Sequence, residues 1–295
     1  MFYFKRVITI PLMIVCLSIM LEGCCAKQKT FTLWQLPSQS GGQMNSYVMQ
    51  TVNGKLIVID GGFEEDASYL KGFLAALGNN VDMWFVSHQH MDHISALIVI
   101  LKNPGDLKIN KIYGSLGPHW VEVHDGNECL KTTVDLNKAL NIAQKQIAEL
   151  TLGQIMKIDG ITIKVIGVKN PEIIENGANN SSVVIRLWDS KKSVLFTGDL
   201  GPEGGQKILH GPYRNELDCD YVQMAHHGQG GVDEEFYKAV NPEYCIWPTP
   251  KWLWDNDDGR GMGSGPWKTQ EVRSWMDKLN IRKHYCLFDG LSRIQ

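Results

Sequence analysis

The segment Ser87-His88-Gln89-His90-Met91-Asp92-His93 follows directly on the apolar run Val81-Asp82-Met83-Trp84-Phe85-Val86. Four side chains able to ligate a metal therefore leave the mouth of a predicted strand within six residues. Neutral imidazoles and a carboxylate form the ligand set suited to zinc and its borderline neighbours. A tight turn can aim His88 and His90 at one ion while Asp92 and His93 reach a second. A polar loop whose histidines merely hydrogen-bond would account for a lone His, but it does not account for H-x-H-x-D-H. The segment reads as half of a two-metal site.

Upstream, residues 31–36, 45–52 and 55–60 read as strands, the last two joined at Asn53-Gly54, a strong hairpin signal. Leu56-Ile57-Val58-Ile59 is continuously apolar and ends in Asp60-Gly61-Gly62, as in a strand buried on both faces that delivers a carboxylate at the sheet end. Asp66 or Ser68 can cap a helix running to about Leu77, which Gly78-Asn79-Asn80 ends before the 81–86 strand. Downstream, residues 94–101 continue as a buried helix, 111–116 as a strand, and Leu136, Leu140, Ala143, Ile147 and Leu150 mark one face of a long amphipathic helix. The looser stretch 117–131 holds His119 and His124. It can overhang the site and lend a ligand, or it is a solvated connection, since neither His sits in a ligand-like pattern.

The second half repeats this order. Strands are expected at 154–158 and 161–168 around Asp159-Gly160, then at 182–188 and 193–197. Val194-Leu195-Phe196-Thr197-Gly198-Asp199 again brings an aspartate from the end of an apolar strand, a position from which it could bridge two cations; capping a following helix is the alternative. Tyr221-Val222-Gln223-Met224-Ala225 leads into His226-His227-Gly228, where two adjacent side chains diverge, so only one of the pair is expected to be a ligand. The tail alternates a helix at 234–240, a strand at 244–247, a helix at 269–279 and a strand at 284–288. The glycine-rich run 258–265 lacks the strand-to-helix context of a nucleotide-binding loop. It is either a substrate-recognising rim, with Lys251, Arg260 and Lys268 available to phosphate, or a packed surface loop.

The N-terminus is set apart from this body. Lys5 and Arg6 precede an apolar run from Val7 to Leu21, and Glu22-Gly23-Cys24-Cys25-Ala26 follows. That is the layout of a secretory signal peptide over residues 1–26, leaving 27–295 as the functional domain. Leu21-Glu22-Gly23-Cys24 also resembles a bacterial lipobox, in which Cys24 would carry a lipid; cleavage after Ala26 and an uncleaved anchor are the alternatives. The expected location is exported, periplasmic or cell-surface, with membrane contact only through the leader or a lipid on Cys24. Cys129, Cys219, Cys245 and Cys286 remain in the body with no C-x-x-C spacing, and buried thiols are favoured over disulfides. The chain of 295 residues, 43% apolar and 21% charged, has an ordinary globular composition, and its formal net charge of -3 does not indicate whole-protein capture of nucleic acid.

The constellation His88-x-His90-x-Asp92-His93, preceded by Ile59-Asp60-Gly61-Gly62 and followed by Thr197-Gly198-Asp199 and His226, resembles the metallo-β-lactamase superfamily in the correct order over nearly the whole body. The resemblance implies an α/β (α+β) fold, a four-layer αββα sandwich of two mixed sheets flanked by helices, which periodicity alone does not separate from other α/β folds. Asn179-Asn180-Ser181-Ser182-Val183-Val184 and Met224-Ala225-His226-His227-Gly228 further resemble the branch that includes the metallo-β-lactamase domain of competence DNA-uptake channels. Bacterial phosphorylcholine esterases show a similar ligand order. By position, His88 and His90 would hold a first metal, Asp92, His93 and His226 a second, and Asp199 would bridge, while Asp60 would orient the turn. The superfamily usually places a third His for the first metal shortly before the bridging Asp. Here no His lies between His124 and Asp199, so His119, His124, Asn179, Asn180 or water must fill that place.

The chemistry implied is a pair of divalent cations, zinc first with manganese or iron as alternatives, that share a water, lower its pKa and present hydroxide to phosphorus or a carbonyl carbon. Asp92 and Asp199 would be the catalytic carboxylates. A phosphodiester is the expected substrate through the branch resemblance. A lactone or amide hydrolase of the same fold, or an exported binding protein without turnover, are the rivals.

Overall fold

The computed structural model describes residues 30–117 and 128–294. The leader, and His119 and His124, lie outside the described residues. Among the described residues, fourteen strands form two seven-stranded sheets. The first half of the chain contributes β1 (Thr32–Gln35), β2 (Ser46–Gln50), β3 (Leu56–Asp60), β4 (Asn80–Phe85), β5 (Lys108–Gly114) and β6 (Ile147–Glu149). β1 to β3 are antiparallel, and β3 to β6 are parallel. The C-terminal β14 (Ser292–Ile294) returns to pair with β1, Ile294 opposite Leu33, so the first sheet is closed by the last residues of the chain.

The second sheet has the mirrored sequence of pairings. β7 (Ile155–Ile158), β8 (Ile161–Gly167), β9 (Val184–Trp188) and β10 (Ser193–Phe196) run antiparallel. β11 (Tyr221–Gln223), β12 (Tyr244–Trp247) and β13 (Lys283–Cys286) continue parallel to β10. Both predicted hairpin turns, Asn53-Gly54 and Asp159-Gly160, join antiparallel neighbours.

The alternation of side chains explains the layering. In β3, Leu56 and Val58 enter a core with α1 (Ala67–Ala76), α2 (Met91–Lys102) and α3 (Glu128–Ile142), while Ile57 and Ile59 enter the core between the sheets. In β10, Val194 and Phe196 face the inter-sheet core and Leu195 faces the outer helices α5 (Pro202–Leu209), α6 (Glu234–Val240) and α8 (Thr269–Lys278). Helix, sheet, sheet, helix is the resulting stack, the four-layer arrangement the family resemblance implies. Central strands with both faces covered must be apolar throughout, which is why 56–59 and 194–196 show no polar alternation. Each fully buried Leu or Ile on these faces contributes roughly 1.5–3 kcal/mol.

Four helices differ from the sequence expectation. The long helix over 136–150 ends at Ile142; Gln144 adopts φ 52, and Ile147 enters β6 opposite Ile112. Leu150 is buried between the sheets while Ile142 is 63% exposed, so a strand residue met the helical spacing by coincidence. α5 opens on Pro202 and contains Gly204 and Gly205, whose low helix propensity hides it from a periodicity reading. α4 (Gly177–Asn180) and α7 (Lys251–Trp254) are single turns too short to carry a period.

Candidate metal centre

The polar residues singled out in the sequence converge where the parallel strands of both sheets end. Asp60 closes β3 in a left-handed conformation, φ 55. Ser87 and His88 extend beyond β4, and His90 is the N-cap of α2, so Asp92 and His93 fall in its first turn. Asp199 follows β10 across Gly198, whose φ of 55 turns the chain back over the sheet edge. That turn is pinned by Gln223: its side-chain carbonyl accepts from Thr197 N at 2.8 Å and its amide donates to Gly198 O at 3.0 Å.

Among the described residues, two sets of side chains could each hold a cation. His88, His90 and Asp199 form one; Asp92, His93, Asp199 and His227 form the other, each with its ligand atoms within 4.8 Å of one another. Asp199 belongs to both. His88 Nε2 lies 2.9 Å from His90 Nδ1. His93 Nε2 lies 3.2 Å from Asp199 Oδ1 and 3.9 Å from Asp92 Oδ1, while its Nδ1 is 2.8 Å from Asp60 Oδ2. Asp60 also accepts from Ser87 N at 2.8 Å and Ser87 Oγ at 2.7 Å, so one carboxylate ties the turn and the His93 ring together.

His227, and not His226, stands in the second set, which corrects the sequence expectation. His227 Nε2 is 2.9 Å from Asp92 Oδ2 and 3.1 Å from Asp199 Oδ2, whereas His226 Nε2 is 3.9 Å from Asp199 Oδ2 and its side chain is 24% exposed in the cleft. The cause is backbone conformation. His226 and His227 both take left-handed angles (φ 49 and 53) after β11, which turns the second ring inward, and Gly228 follows at φ 75 against Trp247. Sequence spacing carries no record of this turn.

The buried nitrogens test whether cations fit. His227 Nδ1 donates to the Pro248 carbonyl at 3.0 Å, since a carbonyl can only accept, and this turns Nε2 toward the two carboxylates. Nε2 is buried and makes no aligned hydrogen bond despite its proximity to Asp92 and Asp199. A nitrogen held between two carboxylates in this way suits a cation. Burial alone would depress His93 and His227, but Asp199 and Asp92 outweigh it in both, raising His93 well above the usual histidine range and His227 to about 9; the carboxylates thus draw onto each ring a proton that a bound cation would displace. Burial would likewise raise Asp199, yet His227 and His93 hold it well below the usual carboxylate range. His88 is lowered by burial and by its imidazole neighbours, so it is neutral and ready to donate a lone pair.

Residues that spacing did not reveal support this centre. Asn45 Nδ2 donates to Asp199 Oδ1 at 3.2 Å and is itself fixed by Tyr47, whose hydroxyl donates to Asn45 Oδ1 at 3.0 Å. Ser182 Oγ accepts from Asp199 N at 3.0 Å and lies 3.3 Å from His88 Nδ1. A polar cleft of about 260 Å³ opens over the centre, lined by Gln43, His90, Asp92, Asn179, Asp199 and His226 among others. Of the cations expected to meet phosphate, Lys251 pairs with Asp255 and Arg260 with Asp258, as in a packed surface loop. Trp252 Nε1 donates to Gly41 O at 3.2 Å, fastening that loop to the opposite rim.

The fold is that of the metallo-β-lactamase α/β sandwich, and residues 40–111 match the model of the Metallo-beta-lactamase superfamily. Over 179 residues, 59% of the chain, it is 26% identical to ComE operon protein 3 of Bacillus subtilis (strain 168), and the match spans 21% of that longer protein. The metallo-beta-lactamase fold protein YhfI from Bacillus subtilis superposes with a TM-score of 0.54 at 12% identity, covering 90% of this chain and 100% of that one. CmlA, a diiron β-hydroxylase from Streptomyces venezuelae, superposes with a TM-score of 0.53 at 11% identity, covering 90% of this chain and 54% of that one. At such identities the two structures share the fold with this chain.

Proposed function

We propose that this chain is an exported metal-dependent hydrolase with a binuclear centre, acting on a phosphodiester. The observation that carries the reading is the shared Asp199, which joins two ligand sets at the floor of a polar cleft. His88, His90 and Asp199 would hold one divalent cation and Asp92, His93, Asp199 and His227 the other. When bound, such a pair supplies Lewis acidity and activates water near neutral pH. The protein's own contribution is positional. Asp60 orients His93, Asn45 and Ser182 orient Asp199, and Pro248 sets the tautomer of His227. His226 and Asn179 form the cleft wall against which a substrate would lie.

The phosphodiester assignment is supported by the resemblance to the competence-channel branch, with which the 26% identity to ComE operon protein 3 agrees. Export is supported by the layout of residues 1–26; among the described residues no helix is long and apolar enough to cross a membrane. The purified full chain, reconstituted with Zn²⁺, Mn²⁺ or Fe²⁺, should hydrolyse bis-p-nitrophenyl phosphate, and Asp199→Ala should abolish that activity. Full activity in Asp199→Ala overturns the site. Bound metal without turnover on phosphodiester, lactone and β-lactam panels identifies a binding protein instead.

A further inference from the structure

Among the described residues the first ligand set is one protein group shorter than the second, and Asn179 of α4 lines the same cleft as His90 and Asp199. Resting on the two-cation reading above, we propose that Asn179 supplies its side-chain carbonyl oxygen to the first cation. It would stand where the superfamily's usual third histidine is missing.

Asn179 is 4% exposed and lines the cleft with His90 and Asp199. Its Nδ2 donates to Asn176 Oδ1 at 2.9 Å and reaches His226 Nε2 at 3.5 Å. The amide orientation is thereby set, and Oδ1 is left buried with no hydrogen-bond partner. A buried carbonyl without a donor is costly and calls for an occupant of its lone pairs. The neighbouring Asn180 points elsewhere: its Nδ2 donates to Glu175 O and Glu203 Oε2, both at 3.0 Å, and its Oδ1 accepts from Gly204 N at 2.9 Å. Asn179 alone of the pair is therefore available to the cleft.

The same segment already touches the first set from behind. Three residues on, Ser182 Oγ meets His88 Nδ1 and Asp199 N. The left-handed Asn176, φ 45, starts the single turn of α4 that carries Asn179 into the cleft lining. With Asn179 included, each cation has two imidazole nitrogens and two oxygen donors from the protein. An amide oxygen is a harder donor than the imidazole it replaces, so the first site should tolerate Mn²⁺ or Fe²⁺ better than a three-histidine site does.

The test is metal uptake by the full chain, followed by elemental analysis after dialysis and by Mn²⁺ titration monitored by electron paramagnetic resonance. Wild type should take two ions. Asn179→Ala should retain the second ion and bind the first about tenfold more weakly or worse. Asn179→Asp, which keeps an oxygen arm, should retain both, and Asn179→His should retain both while shifting preference toward Zn²⁺. Two ions bound with wild-type affinity in Asn179→Ala overturns the assignment. Loss of the first ion in His226→Ala but not in Asn179→Ala also overturns it, by making His226 the arm. Fewer than two ions in wild type overturns the two-cation reading itself, and the assignment with it.

Discussion

Asp60 accepts two hydrogen bonds from Ser87 and contacts His93 Nδ1 while only 1% exposed. An amide has one acceptor oxygen where the carboxylate has two, so Asp60→Asn cannot satisfy all three partners. Its expected effect is a loss of about 10–100-fold in cation affinity, read by competition with a chromophoric chelator. Unchanged affinity would remove Asp60 from the support of the centre. At this scale the sequence was most informative where ligands cluster within a few residues, as from His88 to His93, because local spacing restricts where such side chains can go. It was least informative at His226-His227, since two adjacent residues of one type differ only in the backbone angles they adopt. Asn45 left no signal at all, because its partner Asp199 is 154 residues away.

Among elements, the turn after β10 is the one on which Asp199 depends. A Cβ on Gly198 would lie 2.9 Å from both Ser182 Oγ and Ser87 Cβ, in a backbone region that L-residues avoid. Gly198→Ala should therefore cost about 1–3 kcal/mol and impair cation binding, both read from denaturant unfolding with and without metal. The β9–β10 hairpin carries a second testable feature. Lys192, 7% exposed, donates to Ile294 O at 3.2 Å and lies 4.4 Å over the Phe31 ring. Burial pushes its pKa down to about 8, with Asp189 only partly offsetting this. Between pH 8 and the usual lysine value, the unfolded chain holds a proton that the folded chain does not. This group's contribution to stability thus rises with pH across that window, and the full burial cost applies below pH 8. Lys192→Met should flatten that rise in urea midpoints measured from pH 7 to 10; parallel curves for the two proteins would remove Lys192 as its source. Most strands and helices were legible from apolar runs and turn residues. The 136–150 stretch was not, because Ile147 and Leu150 keep a helical spacing while belonging to the sheet region.

For the whole molecule, the two sheets meet at the centre, and cations bridging them should stabilise the native state. Each site held at a hundred times its Kd adds about 2.7 kcal/mol, so excess Mn²⁺ or Zn²⁺ should raise the thermal midpoint and EDTA should reverse the rise. An unfolding transition indifferent to both would argue against a cation between the sheets. Cys129, Cys219, Cys245 and Cys286 are buried thiols among the described residues, so no disulfide in that set competes with metal for the stabilising role. The sequence by itself pointed to the candidate ligand chemistry, most of the strands and longer helices, and the apolar strands that demand cover on both faces, because these are written in residue type and local spacing. Only the tertiary structure decided which histidine of the 226–227 pair turns inward, which polar residues brace Asp199, and that Asn179 lines the cleft with its Oδ1 buried and unpartnered. Those outcomes depend on left-handed turns and on contacts between strand ends more than a hundred residues apart, and neither is encoded in any short window of the chain.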